Sequence, residues 1–223
     1  MRAPRQLTFD DIPRWGGRRK GAGRKAGPRP RVRHRTRPEH AYYHPSHVTL
    51  RAVSGLPSFR QQVVYKAVEG AVRKTRERRE DFAIVEFSVQ DDHLHALVEA
   101  DDKASFTRGM RTFIALAVRA LKRVLRRKGP IMGDRYHRRD LTSPKQVRIG
   151  LVYVLANHKK HYRATSGAPR IDPFSTAPWF EGWVHVRKPP DEPRPGREAG
   201  THLLRSLWKR HGLIHPGEAP RTG

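Results

Sequence analysis

Two histidines, His93 and His95, are separated by a single leucine in the run Asp-Asp-His-Leu-His-Ala-Leu-Val-Glu, residues 91–99. The apolar residues around them are typical of a strand. Because neighbouring side chains on a strand point to opposite faces, both imidazoles project from one face. This pair indicates a metal site. The competing interpretation is a pair of surface or hydrogen-bonded histidines, since a chain with thirteen histidines contains such pairs by chance.

A second group of reactive side chains follows Ser143-Pro144-Lys145-Gln146, which combines an N-cap serine, a first-turn proline and a capping-box glutamine. The sequence therefore predicts that a helix begins here. At helical spacing, a second and mostly polar stripe runs beside its apolar stripe. The members of this polar stripe are Gln146, Gly150, Tyr153, Asn157 and Lys160.

Tyr153 and Asn157 are four residues apart, so a continuous helix would direct a phenol and an amide oxygen towards one ligand. Together with two histidines on a strand, they suggest a phosphoryl-transfer site. A lone tyrosine on a helix is more often a packing residue. Tyr136 and Tyr162 are the alternative nucleophiles, and Asn157 is alternatively an early C-cap.

The elements that must position these groups follow in the order β-α-β-β-α-β. This order predicts an α+β fold: a ferredoxin-like antiparallel sheet with helices on one face, the other face free for a site, followed by the tyrosine-bearing helix. Fold alone does not decide function. The predicted elements are a strand after His44, a helix from Pro57-Ser58 to the charge run 73–80, strands 82–89 and 93–100, a helix capped by Asp101 or Asp102 and ended by Gly129-Pro130, and a strand over 134–141.

The charge balance favours nucleic acid as the partner. Lys and Arg number 47 against 21 Asp and Glu, a formal charge of +26. No long apolar span is present, so no membrane partner is expected. Without cysteine the chain has no disulfide and no thiolate chemistry. Met1 is followed by no apolar signal region, so we expect a cytoplasmic, nucleoid-associated protein.

Composition divides the chain into three parts. Residues 1–40 carry 13 Arg and Lys against three acids and are broken by Gly and Pro, which predicts a flexible basic arm that contacts DNA or, alternatively, only solubilises the chain. Residues 41–165 hold the catalytic motifs. Residues 166–223 are Pro-rich and aromatic, with a short helix expected near 201–210, and we favour their packing over the core. The candidate DNA-binding residues of the arm are Arg18, Arg19, Lys20, Arg24 and Lys25.

Over about residues 40–165 these motifs resemble the REP-associated tyrosine transposases, a family of single-tyrosine HUH transposases. His93-Leu94-His95 resembles their His-hydrophobic-His element, the segment 153–157 resembles their nucleophile helix, and 133–139 is similar to the segment that precedes it. Two positions depart from the family pattern. Asp91-Asp92 stands where the family usually has Pro-Asn, and His158 stands where it usually has Pro.

The resemblance implies a DNA transposase that cleaves and rejoins single-stranded or hairpin DNA. His93, His95 and Asn157 would hold Mg²⁺ or Mn²⁺, and Tyr153 would attack phosphorus to give a 5′-phosphotyrosine and a free 3′-hydroxyl. Lys160 is our added candidate for a cation that favours the phenolate and binds DNA. A second copy of the chain, in a homodimer, is a further candidate partner.

Two rival functions use the same residues. One is a non-catalytic, sheet-based nucleic-acid binding module, such as a domesticated relative of the transposases, although the third strand has histidines where such a module has stacking rings. The other is a metal-dependent hydrolase in which Tyr153 is structural.

Overall fold

The structure is a computed structural model that describes residues 39–161, 171–185 and 188–220. The candidate DNA-binding residues of the arm and the alternative nucleophile Tyr162 therefore lie outside the described residues. The strands are β1 (Ser46–Arg51), β2 (Phe82–Val89), β3 (His93–Ala100) and β4 (His137–Asp140). The helices are α1 (Gln62–Arg78), α2 (Lys103–Val124), α3 (Pro144–Leu155), α4 (His158–His161) and α5 (His202–Arg205), with 3₁₀ turns at Ala177–Trp179 and Leu207–His211.

The four strands form one antiparallel sheet in the order β2-β3-β1-β4. This order, with two helices connecting the strands, is the predicted ferredoxin-like arrangement, so the predicted α+β fold is confirmed. The bounds of β2 and β3 are those predicted. The tight turn between them is closed by the amide of Gln90, which donates to the carbonyl of His93 over 2.8 Å.

One core lies between the sheet and the helices α1 and α2. It is built from strand residues such as Val48, Leu94 and Val98 and from the apolar stripes of both helices. Asp102 caps α2 by accepting a hydrogen bond from the amide of Ser105, as one of the two predicted caps. The helix ends at Val124, before the predicted stop at Gly129-Pro130.

The first helix begins later than its sequence signal. Ser58 donates its hydroxyl to Asp91 over 2.6 Å instead of capping α1, and Phe59 is fully buried ahead of the helix. The helix starts after Gln61, which makes no side-chain cap bond. The Pro57-Ser58 signal thus marks a turn that connects to the β2–β3 hairpin.

The opposite face of the sheet is covered, where the sequence predicted a free face. All eight residues of β3 are buried, because α3 and part of the C-terminal extension form a second core against this face. Trp183 and Trp208 are each 2 % exposed in that core, as the expected packing of the aromatic extension requires. The site must therefore lie beside α3 and not on an open sheet. This second core comprises Val85, Leu97, Leu141, Val147, Leu151, Val152, Val154, Leu155, Ala156, Ala177, Trp183, Leu204, Trp208 and Ile214.

The extension also follows the outer edge of β2. The amide of Val89 donates to the carbonyl of Phe174, and the amide of Thr176 donates to the carbonyl of Phe87. Farther along, the amide of Arg197 donates to the carbonyl of Ile84. Residues 171–220 are thus integrated with 39–161. No described helix is long and apolar enough to span a membrane.

Candidate nuclease site

The paired histidines lie near the centre of the sheet, on the face that α3 covers. His93 pairs with Arg51 and His95 pairs with Thr49 across the β1–β3 ladder. The two imidazole centroids are 4.6 Å apart and both side chains are largely buried. The alternation of β3 places them together, as predicted, since Leu94 and Ala96 enter the first core.

Asp92 orients His93. Its Oδ1 lies 2.6 Å from Nδ1 of His93, and the hydrogen bond from that imidazole is the main reason that the pKa of Asp92 is below its ordinary value. A histidine that donates Nδ1–H to a carboxylate presents Nε2 as its lone-pair nitrogen, which is the arrangement typical of metal-binding histidines. The acid at position 92 therefore supplies a suitable partner where the resembling family usually has asparagine.

His95 meets two polar side chains of β1 at one nitrogen. Its Nδ1 is 3.1 Å from Oγ1 of Thr49 and 3.2 Å from Nε2 of His47. Burial, and then the nearby charges of His137 and Arg139, lower the pKa of His47 to about 4, so His47 is neutral at neutral pH. His47 was not among the site residues predicted from the sequence. The sequence does show that His47 and Thr49 share one face of β1. This indicates a site residue only once β1 is known to pair with β3.

Tyr153 lies against His95 and His47. Its ring centroid is 5.0 Å from that of His95 and 5.3 Å from that of His47, and both contacts are edge-to-face. The structure thus brings together the predicted nucleophile and the predicted histidine pair. Tyr136 lies elsewhere, because it packs against Phe106 in the first core. It is therefore a packing residue.

Local sequence explains where α3 starts and how it approaches the sheet. Ser143 accepts a hydrogen bond from the amide of Gln146, as predicted, but the Gln146 side chain accepts from the amide of Thr142 instead of closing the box on Ser143. Gly150 faces Leu141, whose Cδ1 would lie 2.8 Å from an added Cβ. A glycine here lets the helix pack closely, which brings Tyr153 to the histidines.

The expected continuous helix from Tyr153 to Asn157 is wrong. The helix ends at Leu155, and its C-cap Ala156 has left the helical region at φ −121° and ψ 13°. Asn157 follows in the break before α4 and is 2 % exposed. It is not the C-cap either. His158, which stands where the resembling family usually has proline, is fully buried, and its Nδ1 lies 3.7 Å from the carboxylate of Asp172 in the extension.

The available donor atoms fit a divalent ion only in part. Within the described residues, no three His, Asp or Glu side chains form a metal-binding group. Two imidazoles would need an oxygen of another kind. Asn157 carries a buried amide oxygen, Oδ1, that has no hydrogen-bond partner among the residues described. The side chain of Lys160 lies outside the described residues.

Basic groups surround the entrance to the site. Arg51 is exposed opposite His93, and Arg139 pairs with His47 from the edge strand β4, where it is also exposed. A groove of about 440 Å³ beside Tyr153 is bounded by Lys145, Ile149 and the chain around 218–220. These positive charges would attract a phosphate backbone towards the tyrosine.

Comparison with known proteins shows a likeness to a solved structure. No protein-family model and no curated protein matches the chain. Among solved structures, the chain is similar to a REP-associated tyrosine transposase bound to a REP hairpin, with a TM-score of 0.53 and 18 % sequence identity over 65 % of this chain and 82 % of that one. At this identity the likeness concerns the fold alone.

Proposed function

We propose that the protein is a single-tyrosine HUH DNA transposase that cleaves and rejoins single-stranded or hairpin DNA. The observation that carries the proposal is the contact of Tyr153 with His95, 5.0 Å between ring centroids, beside the paired imidazole of His93. A phenol placed beside a pair of imidazoles that could hold a divalent ion is suited to nucleophilic attack on a phosphodiester. The fold shared with a REP-associated tyrosine transposase, whose structure includes a REP hairpin, supports the same activity.

In the proposed reaction the Tyr153 oxygen attacks phosphorus and the bond from phosphorus to the 3′ oxygen breaks. The phenol proton passes through solvent to that oxygen, leaving a 3′-hydroxyl and a 5′-phosphotyrosine. Because one phosphodiester replaces another, the energy of the bond is retained. Attack by the 3′-hydroxyl of a second strand then reverses the step and joins new ends.

His93, His95 and Asn157 would hold Mg²⁺ or Mn²⁺. A bound divalent ion would supply Lewis-acid polarisation of the scissile phosphate. Asp92 and Thr49 keep the ligand histidines oriented through their Nδ1 atoms.

The DNA contacts in the proposal lie on basic residues around the site and in the arm. Arg51 and Arg139 would bind phosphates of the DNA strand that enters the site. Both are exposed, Arg51 beside His93 and Arg139 beside His47. The arm residues named above, and Lys160, would add sequence-independent affinity that falls with salt.

A labelled single-stranded hairpin, incubated with Mg²⁺ or Mn²⁺ and separated by denaturing electrophoresis, tests the proposal. We expect a protein-linked band that Tyr153→Phe abolishes. Tyr136→Phe is the matched control, because it removes a phenol from the opposite side of the sheet and should leave the band intact. Cleavage without a linked band would favour the hydrolase, and binding without cleavage on several hairpins would favour the binding module.

A further inference from the structure

We propose that His47 is a positioning residue, whose Nε2 accepts the Nδ1 hydrogen of His95 and thereby keeps the lone pair of His95 on Nε2. The inference rests on the proposed function in one respect: His95 is taken as a metal ligand. It gives a role to a second residue of β1 that contacts His95, beside Thr49.

The hydrogen-bond geometry defines two arrangements. A neutral imidazole has one N–H and one lone pair, so a 3.2 Å contact between Nε2 of His47 and Nδ1 of His95 needs exactly one hydrogen between them. If His95 supplies that hydrogen, its Nε2 can bind an ion. If His47 supplies it, Nε2 of His95 carries a hydrogen and cannot.

Thr49 does not decide between the two arrangements. Its Oγ1 is 3.1 Å from the same nitrogen of His95, but a hydroxyl rotates and can either donate or accept. The imidazole of His47 cannot rotate in this way and can change its role only by moving its hydrogen to the other ring nitrogen. With His95 taken as a metal ligand through Nε2, the hydrogen lies on Nδ1 of His95 and Nε2 of His47 accepts it.

His47 also joins the ligand to the nucleophile. Its ring contacts His95 with 5.1 Å between centroids and Tyr153 with 5.3 Å between centroids. The register of β1 on β3 fixes this position, because Thr49 pairs with His95 and His47 lies two residues farther along the same face. Removal of the His47 nitrogen should free the His95 ring to adopt either tautomer.

Imidazole ¹⁵N spectra of the metal-free, ¹⁵N-histidine-labelled full chain test the proposal directly. We expect the Nδ1–H tautomer at both His47 and His95 in the wild type. His47→Phe keeps a ring against Tyr153 but removes the nitrogen, so His95 should show mixed tautomers. The affinity for Mn²⁺ alone can be measured from the decrease of the paramagnetic resonance signal of the free ion. It should fall about 10–100-fold in this variant.

His47→Gln is the informative second variant. Its terminal amide reaches about as far as Nε2 of histidine but has no ring, so it should retain most of the Mn²⁺ affinity. His185→Phe is the control, because it removes an exposed histidine of the extension and should change neither readout.

Three results would overturn the proposal: an Nε2–H tautomer at His95 in the wild type, unchanged Mn²⁺ affinity in His47→Phe, or an equal loss in His47→Phe and His47→Gln. None of these measurements needs DNA cleavage. A chain that shows the expected tautomers and Mn²⁺ affinities but forms no covalent adduct would keep the role of His47 and refute the transposase function.

Discussion

At the scale of single residues, the site depends on the groups behind the two imidazoles. Each histidine of the pair uses Nδ1 for a contact within the protein, with Asp92 for His93 and with Thr49 and His47 for His95. These contacts hold both rings in place before any ligand binds. Such supporting residues commonly change metal affinity by about 10–100-fold.

Substitution of Asp92 separates the effect of its charge from that of its hydrogen bond. Asp92→Ala removes both and should weaken Mn²⁺ binding by about 10–100-fold. Asp92→Asn keeps an oxygen that accepts from Nδ1 of His93, so its loss should be smaller. Asp101→Asn, a neutralisation of an exposed acid just beyond β3, is the control in the same titration. Equal affinities for wild type and Asp92→Ala would refute a role for Asp92 in orienting His93.

Residue types and spacing were sufficient to predict His93, His95 and Tyr153 as neighbours, but not His47. Alternation along one strand tells which residues share a face. It does not tell which strand lies alongside. His47 looked like any histidine near the start of a strand until the pairing of Thr49 with His95 placed it beside the site.

At the scale of elements, the starts of α2 and α3 followed from sequence better than their ends. Ser143 and Asp102 cap α3 and α2 as predicted, because side-chain caps are local chemistry. The end of α3 at Leu155 was not predicted, because the residues that follow include neither Gly nor Pro; the alternative of Asn157 as an early C-cap missed the C-cap Ala156 by one residue. The contact of His158 with Asp172, a residue far along the chain, accompanies the break.

The packing of α2 on the sheet predicts opposite effects for two glycine substitutions. An added Cβ at Gly109 would overlap the ring of Phe82, so Gly109→Ala should destabilise the fold by about 1–3 kcal/mol. Gly70, inside α1, has no atom within 4 Å of an added Cβ, so Gly70→Ala should stabilise by about 0.5–1 kcal/mol. Urea denaturation measures both. Equal shifts in the same direction would contradict this packing.

At the scale of the whole molecule, one buried ion pair fastens the extension to the start of α1. Arg60 donates to both carboxylate oxygens of Asp172, at 2.8 and 3.0 Å, and also to the carbonyl of Val89. The side chains of Arg60 and Asp172 are 6 % and 0 % exposed. The pair therefore joins the first helix, the end of β2 and the extension.

Arg60→Met would leave the Asp172 charge buried without its main partner. We expect the free energy of unfolding to fall by about 3–5 kcal/mol. The double variant Arg60→Met with Asp172→Asn should recover part of this loss, because the uncompensated charge is gone. Lys188→Met, which removes one side of an exposed pair with Asp191, should have no measurable effect. A loss no larger than that of Lys188→Met would show that the pair does not fasten the extension.

Composition predicted that the extension packs over the domain, but not where. Contacts between segments about a hundred residues apart leave no local periodicity. The bonds from 174–176 to β2 include backbone bonds that any sequence could make and a bond from the amide of Phe87 to Oγ1 of Thr176. The covering of the second sheet face was not predicted for the same reason. A strand with histidines among apolar residues fits an open face and a partly covered one equally well.

The path of the extension along β2 has a consequence for self-association. β2 reads Phe-Ala-Ile-Val-Glu-Phe-Ser-Val and lies at one margin of the sheet, where an uncovered ladder of this composition would recruit identical strands from other molecules and seed amyloid-like aggregates. Backbone bonds to Phe174, Thr176 and Arg197 already occupy much of that ladder. The opposite margin is the four-residue β4, with two arginines that repel another copy. In the described part of the chain, the same segment that completes the second core thus keeps a concentrated solution of the protein from polymerising through its sheet.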